Sequence, residues 1–298
     1  LDQSVVAVSS IYPNRVHDPA SMDMLMARTD LSLHWFTASF VDMNGEPHAS
    51  LVFPQPVVIS AGCDTAKAGQ CMLGSSSTIS LVFTSTLPAQ TVAPPIPAAA
   101  GDRVTVILQS IAPIDPVFVD LFNRHAEKID TINLRPEDFN PRFDVYRFDA
   151  NGALADALKL SVVPASTLDF GHVVNLIGYK IQTARLKPGG TIEVITYWRS
   201  TAFFDKEAVL FTHVLTGDPQ TPVLAQQDSL DVPSWQWIPG DAFAQVHRFA
   251  IPPAVKPGTY PLEVGIYTSE DNQRLSLYDQ AGSIIGDHFV IGSVTVVP

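Results

Sequence analysis

Thr191-Ile192-Glu193-Val194-Ile195-Thr196-Tyr197-Trp198-Arg199 follows the turn Pro188-Gly189-Gly190, and its reading decides the fold. Side chains of a strand alternate between faces, so Ile192, Val194 and Trp198 fall on one side. The stretch from Thr259 to Tyr267 repeats the pattern with Tyr260, Leu262, Val264 and Ile266. Both read as sandwich strands with a packed side. Further strands are expected near 172–182, 208–215, 222–227, 243–251, 273–278 and 288–297, about eight in all over roughly 130 residues, the spacing of an immunoglobulin-like sandwich. In the last of them the apolar face moves from Phe289 and Ile291 to Val294 and Val296, so a β-bulge is expected across Gly292-Ser293.

Upstream the pattern is looser. Ile79, Leu81 and Phe83 alternate with polar neighbours, as do Val104, Val106 and Leu108. Leu31, Leu33 and Trp35 begin another alternation; the turn signal Asn44-Gly45 and an apolar run from Ser50 to Ser60 make it a loose hairpin. Pro54 and Pro56 place that second run at a sheet edge or bulge, because proline donates no ladder hydrogen bond. Asp115-Pro116 is a helix start, with Phe118, Phe122, Ala126 and Ile129 at helical spacing after it. Ser21 to Arg28, with Met22, Met24 and Met26, is a second candidate helix whose methionines read as packing. Thr86 to Ala100, broken by Pro88, Pro94, Pro95 and Pro97, is expected to be an extended connection. Asn151-Gly152 and Pro164 carry turn chemistry and mark a boundary. The fold class expected is thus mainly all-β: two β-sandwich domains, a β-rich one over 1–160 with one or two short helices, and an immunoglobulin-like one over 161–298.

The 298 residues are 46% hydrophobic and 16% charged, which suits a globular chain and excludes disorder. Acidic residues outnumber basic ones 30 to 18, for a net charge of -12, so no overall field draws the chain to nucleic acid or anionic lipid. No apolar run reaches the ~18 residues a spanning helix needs. The opening Leu1-Asp2-Gln3 suggests a processed chain or an excised fragment. The two cysteines, Cys63 and Cys71, lie in a polar stretch bounded by glycines. A disulfide between them would staple a hairpin tip, the alternative being two unpaired thiols; zinc is disfavoured because no histidine is near. Export to an oxidising compartment is the setting the disulfide implies.

Across Phe170 to Val296, the motifs Leu176-Ile177-Gly178-Tyr179, Pro188-Gly189, Tyr197-Trp198-Arg199, Phe211-Thr212-His213-Val214-Leu215, Trp237-Ile238-Pro239-Gly240-Asp241, Pro257-Gly258-Thr259-Tyr260 and Val264-Gly265-Ile266-Tyr267 occur in that order. As a set they resemble the β-sandwich module at the C-terminal, non-cytoplasmic end of multi-spanning bacterial membrane glycosyltransferases of the protein-mannosyltransferase-like class. That family's catalytic machinery lies in transmembrane segments and their first outward loops, which are not in this sequence, so no transferase activity carries over. The resemblance implies an exported bacterial module, secreted or on the cell surface.

Motifs that announce chemistry are missing. No Gly-X-Ser-X-Gly, phosphate loop or dinucleotide fingerprint occurs, and the eight histidines are scattered singly. No metal site or cofactor is expected; Glu137-Asp138 and Glu270-Asp271 are acidic pairs in turns, poor calcium sites without an oxygen-rich loop. Trp235 and Trp237 are the candidate contacts for a glycan or partner, since alternation puts both indoles on one face, where the other reading has them covering the core. The stretch with Val5, Val6, Val8 and Ile11 is apolar and β-branched, and is a candidate assembly strand that pairs either within the chain or with a neighbour's sheet. The function expected is a non-enzymatic, extracytoplasmic structural or interaction protein that contacts a protein partner or its own copies through sheet edges. The alternative is a glycan-binding accessory module beside a membrane glycosyltransferase.

Overall fold

The computed structural model describes residues 5–8, 32–55, 104–109, 114–133 and 142–298. Among them the chain is mainly β, as expected. Its first part contains β1 (Val5–Val8), β2 (Ser32–Trp35), β3 (Thr37–Val41), β4 (Pro47–Phe53), β5 (Val104–Gln109), helix α1 (Pro116–His125), β6 (Ala126–Asn133), β7 (Arg142–Phe148) and helix α2 (Ala150–Lys159). The remainder supplies β8 (Leu168–Phe170), β9 (Val174–Ile181), β10 (Arg185–Leu186), β11 (Thr191–Ser200), β12 (Ala208–Leu215), β13 (Val223–Asp228), β14 (Ala242–Ala250), β15 (Gly258–Thr268), β16 (Leu277–Tyr278), β17 (Ile284–Gly286) and β18 (Phe289–Val296). An outer sheet runs β10-β18-β15-β12-β13, a central sheet β17-β16-β8-β9-β11-β14-β4-β3, and an N-terminal sheet β2-β1-β5-β7-β6.

The outer and central sheets form the sandwich. Ile192, Val194 and Trp198 pack with Leu210, Leu262, Val264 and Ile266 in one buried cluster, on the faces that alternation assigns. In β18 the register slips: Leu262 lies opposite Gly292 but Glu263 opposite Val290, so Ile291 is the extra residue. The bulge therefore sits one residue before the expected Gly292-Ser293, and it lets Ile291, Val294 and Val296 all be buried.

The other side of the central sheet is also covered. Ile195 and Tyr197 of β11 and Ala244 and Val246 of β14 join a second cluster with Leu51 and Phe53 of β4, Phe118 and Phe122 of α1, Leu154 of α2, and Val104, Val106 and Phe148 of the N-terminal sheet. That sheet is mixed, β1 running parallel to β2 and β5 while β7 is antiparallel to β5 and β6. The central sheet is thus a wall shared by two cores. It also crosses the expected division between residues 160 and 161, because β4 pairs with β14 from Ala242 opposite Phe53 to Val246 opposite Ala49.

Three local expectations are corrected by this packing. Strand β4 is interior, between β14 and β3, and Pro54 ends it instead of placing it at an edge. Helix α1 begins as read, with Asp115 accepting from Val117 N and Phe118 and Phe122 buried, but it stops at His125. Ala126 and Ile129 belong to β6, where pairing with β7 overrides helical spacing. The third correction is Asn151-Gly152, read as a linker turn, which lies in the first turn of α2. Asp149 caps that helix by accepting from Gly152 N, and a Cβ at Gly152 would run into this carboxylate, so the glycine serves the cap. The expected strand over Ile79–Phe83, the proline-broken connection and the methionine segment lie outside the described residues.

Candidate functional site

At one end of the sandwich, Pro233 leads into a 3-10 turn, Ser234–Gln236. The turn replaces the extended chain that alternation assumed, and the two indoles part company. Trp237 is 2% exposed, stacked between Phe204 and Phe243 with Nε1 donating to Val232 O at 3.2 Å, whereas Trp235 is 60% exposed. Ser234 fixes the turn to the preceding loop, its Oγ donating to Lys206 O at 2.6 Å and accepting from Ala208 N at 2.8 Å. Phe203 on that loop is 57% exposed, with Asp205, Lys206 and Glu207 exposed beside it. Sandwich and turn together therefore hold two bare aromatic rings on loops joined through Ser234, and the loop of Phe203 also exposes Asp205, Lys206 and Glu207.

A second group lies on the outward face of the outer sheet. Phe211 sits over Gly265, where any Cβ would collide with the ring, and Arg274 stacks above it at 4.4 Å. Beside it His213 Nε2 is 3.1 Å from Asp228 Oδ1, and Nδ1 is 3.4 Å from Glu263 Oε1, a charge contact longer than a good hydrogen bond. His288 and Arg274 approach the same Glu263 carboxylate at 3.5 and 3.8 Å. Burial works against a charged His213 ring, but the hydrogen bond to Asp228 and the charge of Glu263 outweigh it and hold its pKa above the ordinary value. Burial likewise opposes ionised Glu263, and His213, His288 and Arg274 outweigh it, keeping that carboxyl below its ordinary value.

These shifts fix the sign of a pH dependence. A raised histidine contributes stability that is complete below about pH 6.5, its ordinary value, and lost as pH rises through the folded-state value. Lowered Glu263 contributes above about 4.5 and loses its share as pH falls through its folded value. His247, whose pKa burial lowers, adds stability as pH rises toward about 6.5; above that, urea midpoints of the wild type should decline as pH passes through the folded-state value of His213, and His213→Gln should flatten the decline. His48, also raised, keeps part of it. A slope unchanged in His213→Gln would remove His213 from the account.

The third group is the β3–β4 hairpin. Asp42 Oδ1 accepts from Asn44 N at 2.9 Å and Glu46 N at 2.7 Å, closing the turn around Gly45. His48 stacks on Phe40, centroids 4.7 Å apart, and its Nδ1 is 2.6 Å from Asp231 Oδ1. Asp231 is buried, gripped by Gln245, whose Nε2 donates to Asp231 Oδ2 at 2.9 Å while its Oε1 accepts from Asp231 N at 2.9 Å. Burial opposes a charged His48, but Asp231 and then Asp42 outweigh it and raise its pKa. The sequence shows a turn here and nothing more, because Asp231 is 183 residues from His48.

The remaining candidates are placed as follows. Val5, Val6 and Val8 are in β1, whose two edges are taken by β2 and β5 of the same chain. Ile11, Cys63 and Cys71 lie outside the described residues, as does Glu137-Asp138. Asp271 of the Glu270-Asp271 pair caps its own turn, accepting from Gln273 N at 3.0 Å and from the Thr268 hydroxyl.

Fold and surface define a mainly β protein whose sandwich presents aromatic rings at one end. No protein-family model and no curated protein matches the sequence. Among solved structures the chain is similar to the C-terminal domain of Wzt, at 17% identity over 45% of this chain and 80% of that one, with a TM-score of 0.31.

Proposed function

We propose that the chain is a non-enzymatic binding component of an extracytoplasmic or cell-surface assembly, and that it holds a glycan against Trp235 and Phe203. One observation carries this reading: Trp235 is 60% exposed on a turn whose backbone is pinned, two residues from a tryptophan that is wholly packed. A rigidly mounted indole loses little freedom on binding, and its flat apolar face suits the C–H face of a sugar. On the loop that Ser234 ties to this turn, exposed Asp205, Lys206 and Glu207 offer donors and acceptors for hydroxyls. The sequence resemblance to the module of bacterial membrane glycosyltransferases supports the same ligand class and the outward location. A non-enzymatic role is supported by the polar clusters, in which His48 and His213 are each stacked on a phenylalanine and paired with a carboxylate.

A glycan array with the wild type, Trp235→Ala and Phe203→Ala tests it. Each variant should lose roughly 10-fold or more in affinity for the retained glycan, the worth of about 1.4 kcal/mol. Neither should shift Tm measurably, since exposed substitutions usually stay within about 0.5 kcal/mol. Variants that bind like the wild type would sink the reading. A second reading, a protein partner that adds a strand, is favoured by β3, whose outer edge is unpaired among the described residues and which ends on exposed Val41, with exposed Met43 just beyond. In that case the array stays blank and Val41→Lys weakens the association.

A further inference from the structure

We propose that Asp42, Glu46 and His48 bind a divalent transition-metal ion, zinc by the chemistry of the donors. Each offers one ligand atom, and these atoms lie within 4.8 Å of one another. Zinc–ligand bonds of about 2.0–2.2 Å put neighbouring donors roughly 3.4 Å apart, so closing the set takes a shift of no more than about 1.4 Å, which the exposed Glu46 side chain is free to make.

The second observation comes from outside the hairpin. His48 Nδ1 faces the buried Asp231 carboxylate at 2.6 Å. An ionised carboxylate only accepts, so an N–H is on Nδ1, and a metal ion would take the Nε2 lone pair in place of the proton that the charged ring carries there, releasing that proton to solvent. That lone pair is on the side of Asp42, whose Oδ2 is 3.9 Å away. A carboxylate orienting the far nitrogen of an imidazole is the usual outer support of a metal-bound histidine. Here the support is itself locked by Gln245 on β14 and buried, so the ring is already aimed.

The other two donors are prepared to different degrees. Asp42 Oδ1 is occupied by two backbone N–H groups, which leaves Oδ2 for the ion; the Asn44 Nδ2 contact to it at 3.2 Å is the bond an ion would displace. Glu46 is exposed and closes the set. One imidazole and two carboxylates suit zinc and its neighbours, whereas calcium wants six to eight oxygens and magnesium an octahedral oxygen shell. The bound ion would join the turn to the end of β4, and through His48 and Asp231 to the sandwich.

The test is calorimetric titration of zinc chloride into the chelator-treated full chain. One ion per chain is expected, with calcium and magnesium giving no saturable heat at the same concentrations. His48→Gln should abolish binding, and Asp231→Asn, which touches no ion, should weaken it about 10- to 100-fold. Because His48 and Asp231 also tie the hairpin down, Glu46→Gln is the decisive variant: its side chain is exposed, so Tm without zinc should match the wild type while zinc affinity falls at least about 10-fold. Zinc binding that is equal in wild type and Glu46→Gln, including binding through Cys63 and Cys71 or through His213 and His288, would overturn the proposal. So would a wild type that binds none.

Discussion

Arg248→Ala should lower folding stability by about 3 kcal/mol, read as a shift of the urea midpoint with unchanged slope. The arginine projects from β14 and its Nη1 and Nη2 reach both oxygens of Asp115 at 2.9 and 2.7 Å, while Nε bonds Glu193 of β11. Asp115 is 5% exposed and is also the cap of α1. One guanidinium therefore ties the central sheet to the start of the helix that covers it. Its pKa is raised, first by the hydrogen bonds to Asp115, with burial opposing and Glu193 adding to the rise. Truncation leaves a buried carboxylate with one backbone donor and no counter-charge, and this orphaned charge, more than the lost attraction, sets the cost. Arg248→Lys should recover less than half of it, because an ammonium cannot bond both Asp115 oxygens and Glu193 in this fork. A loss below about 1 kcal/mol for Arg248→Ala would mean that solvent already supports Asp115.

The sandwich was legible wherever a strand has unlike faces. In β15 the alternation of Leu262, Val264 and Ile266 with polar or small neighbours names the buried side directly. In β11 it named one side, since Ile192, Val194 and Trp198 read as core while Ile195 and Tyr197 carried no separate instruction. Those two are buried against elements from the first part of the chain, and no local pattern in 191–200 says so. Strand pairing across long separations has the same opacity. That β4 would lie beside β14 depends on complementarity between surfaces, and the Asn44-Gly45 signal fixes only the hairpin.

Short punctuation was ambiguous for a physical reason. Asn-Gly suits a tight turn, but the first turn of a helix also tolerates it when an aspartate precedes, and Ala150, Ala153, Leu154 and Ala157 at helical spacing were the signal that could have decided for α2. The two tryptophans illustrate the converse. Alternation holds only for extended chain, and Pro233-Ser234 bends the backbone so that Trp235 and Trp237 face opposite ways. The polar clusters were the least legible, because Asp231 and His48, or Asp115 and Arg248, meet only after the sheets have formed.

The largest effect is expected for the second half expressed alone, residues 161–298. That fragment keeps the sandwich core, but it loses β4 from the edge of β14 and everything that covers Ile195, Tyr197, Ala244 and Val246. Exposing a large apolar side chain costs about 1.5–3 kcal/mol, so three of them already approach about 5 kcal/mol, the lower end of a whole domain's stability. The bare edge of β14 adds a second hazard, since an unpaired apolar strand invites pairing with other chains. The fragment should therefore be aggregated or partly unfolded by solution mass and by binding of a hydrophobic dye. Joining residues 32–55 to it through a flexible linker should restore the edge and remove the aggregation, while dye binding persists because Ile195 and Tyr197 stay uncovered. A fragment that is monomeric and melts with the full chain would show that the sandwich needs neither the hairpin nor the helices, and that the division at residue 160 separates two independent folding units.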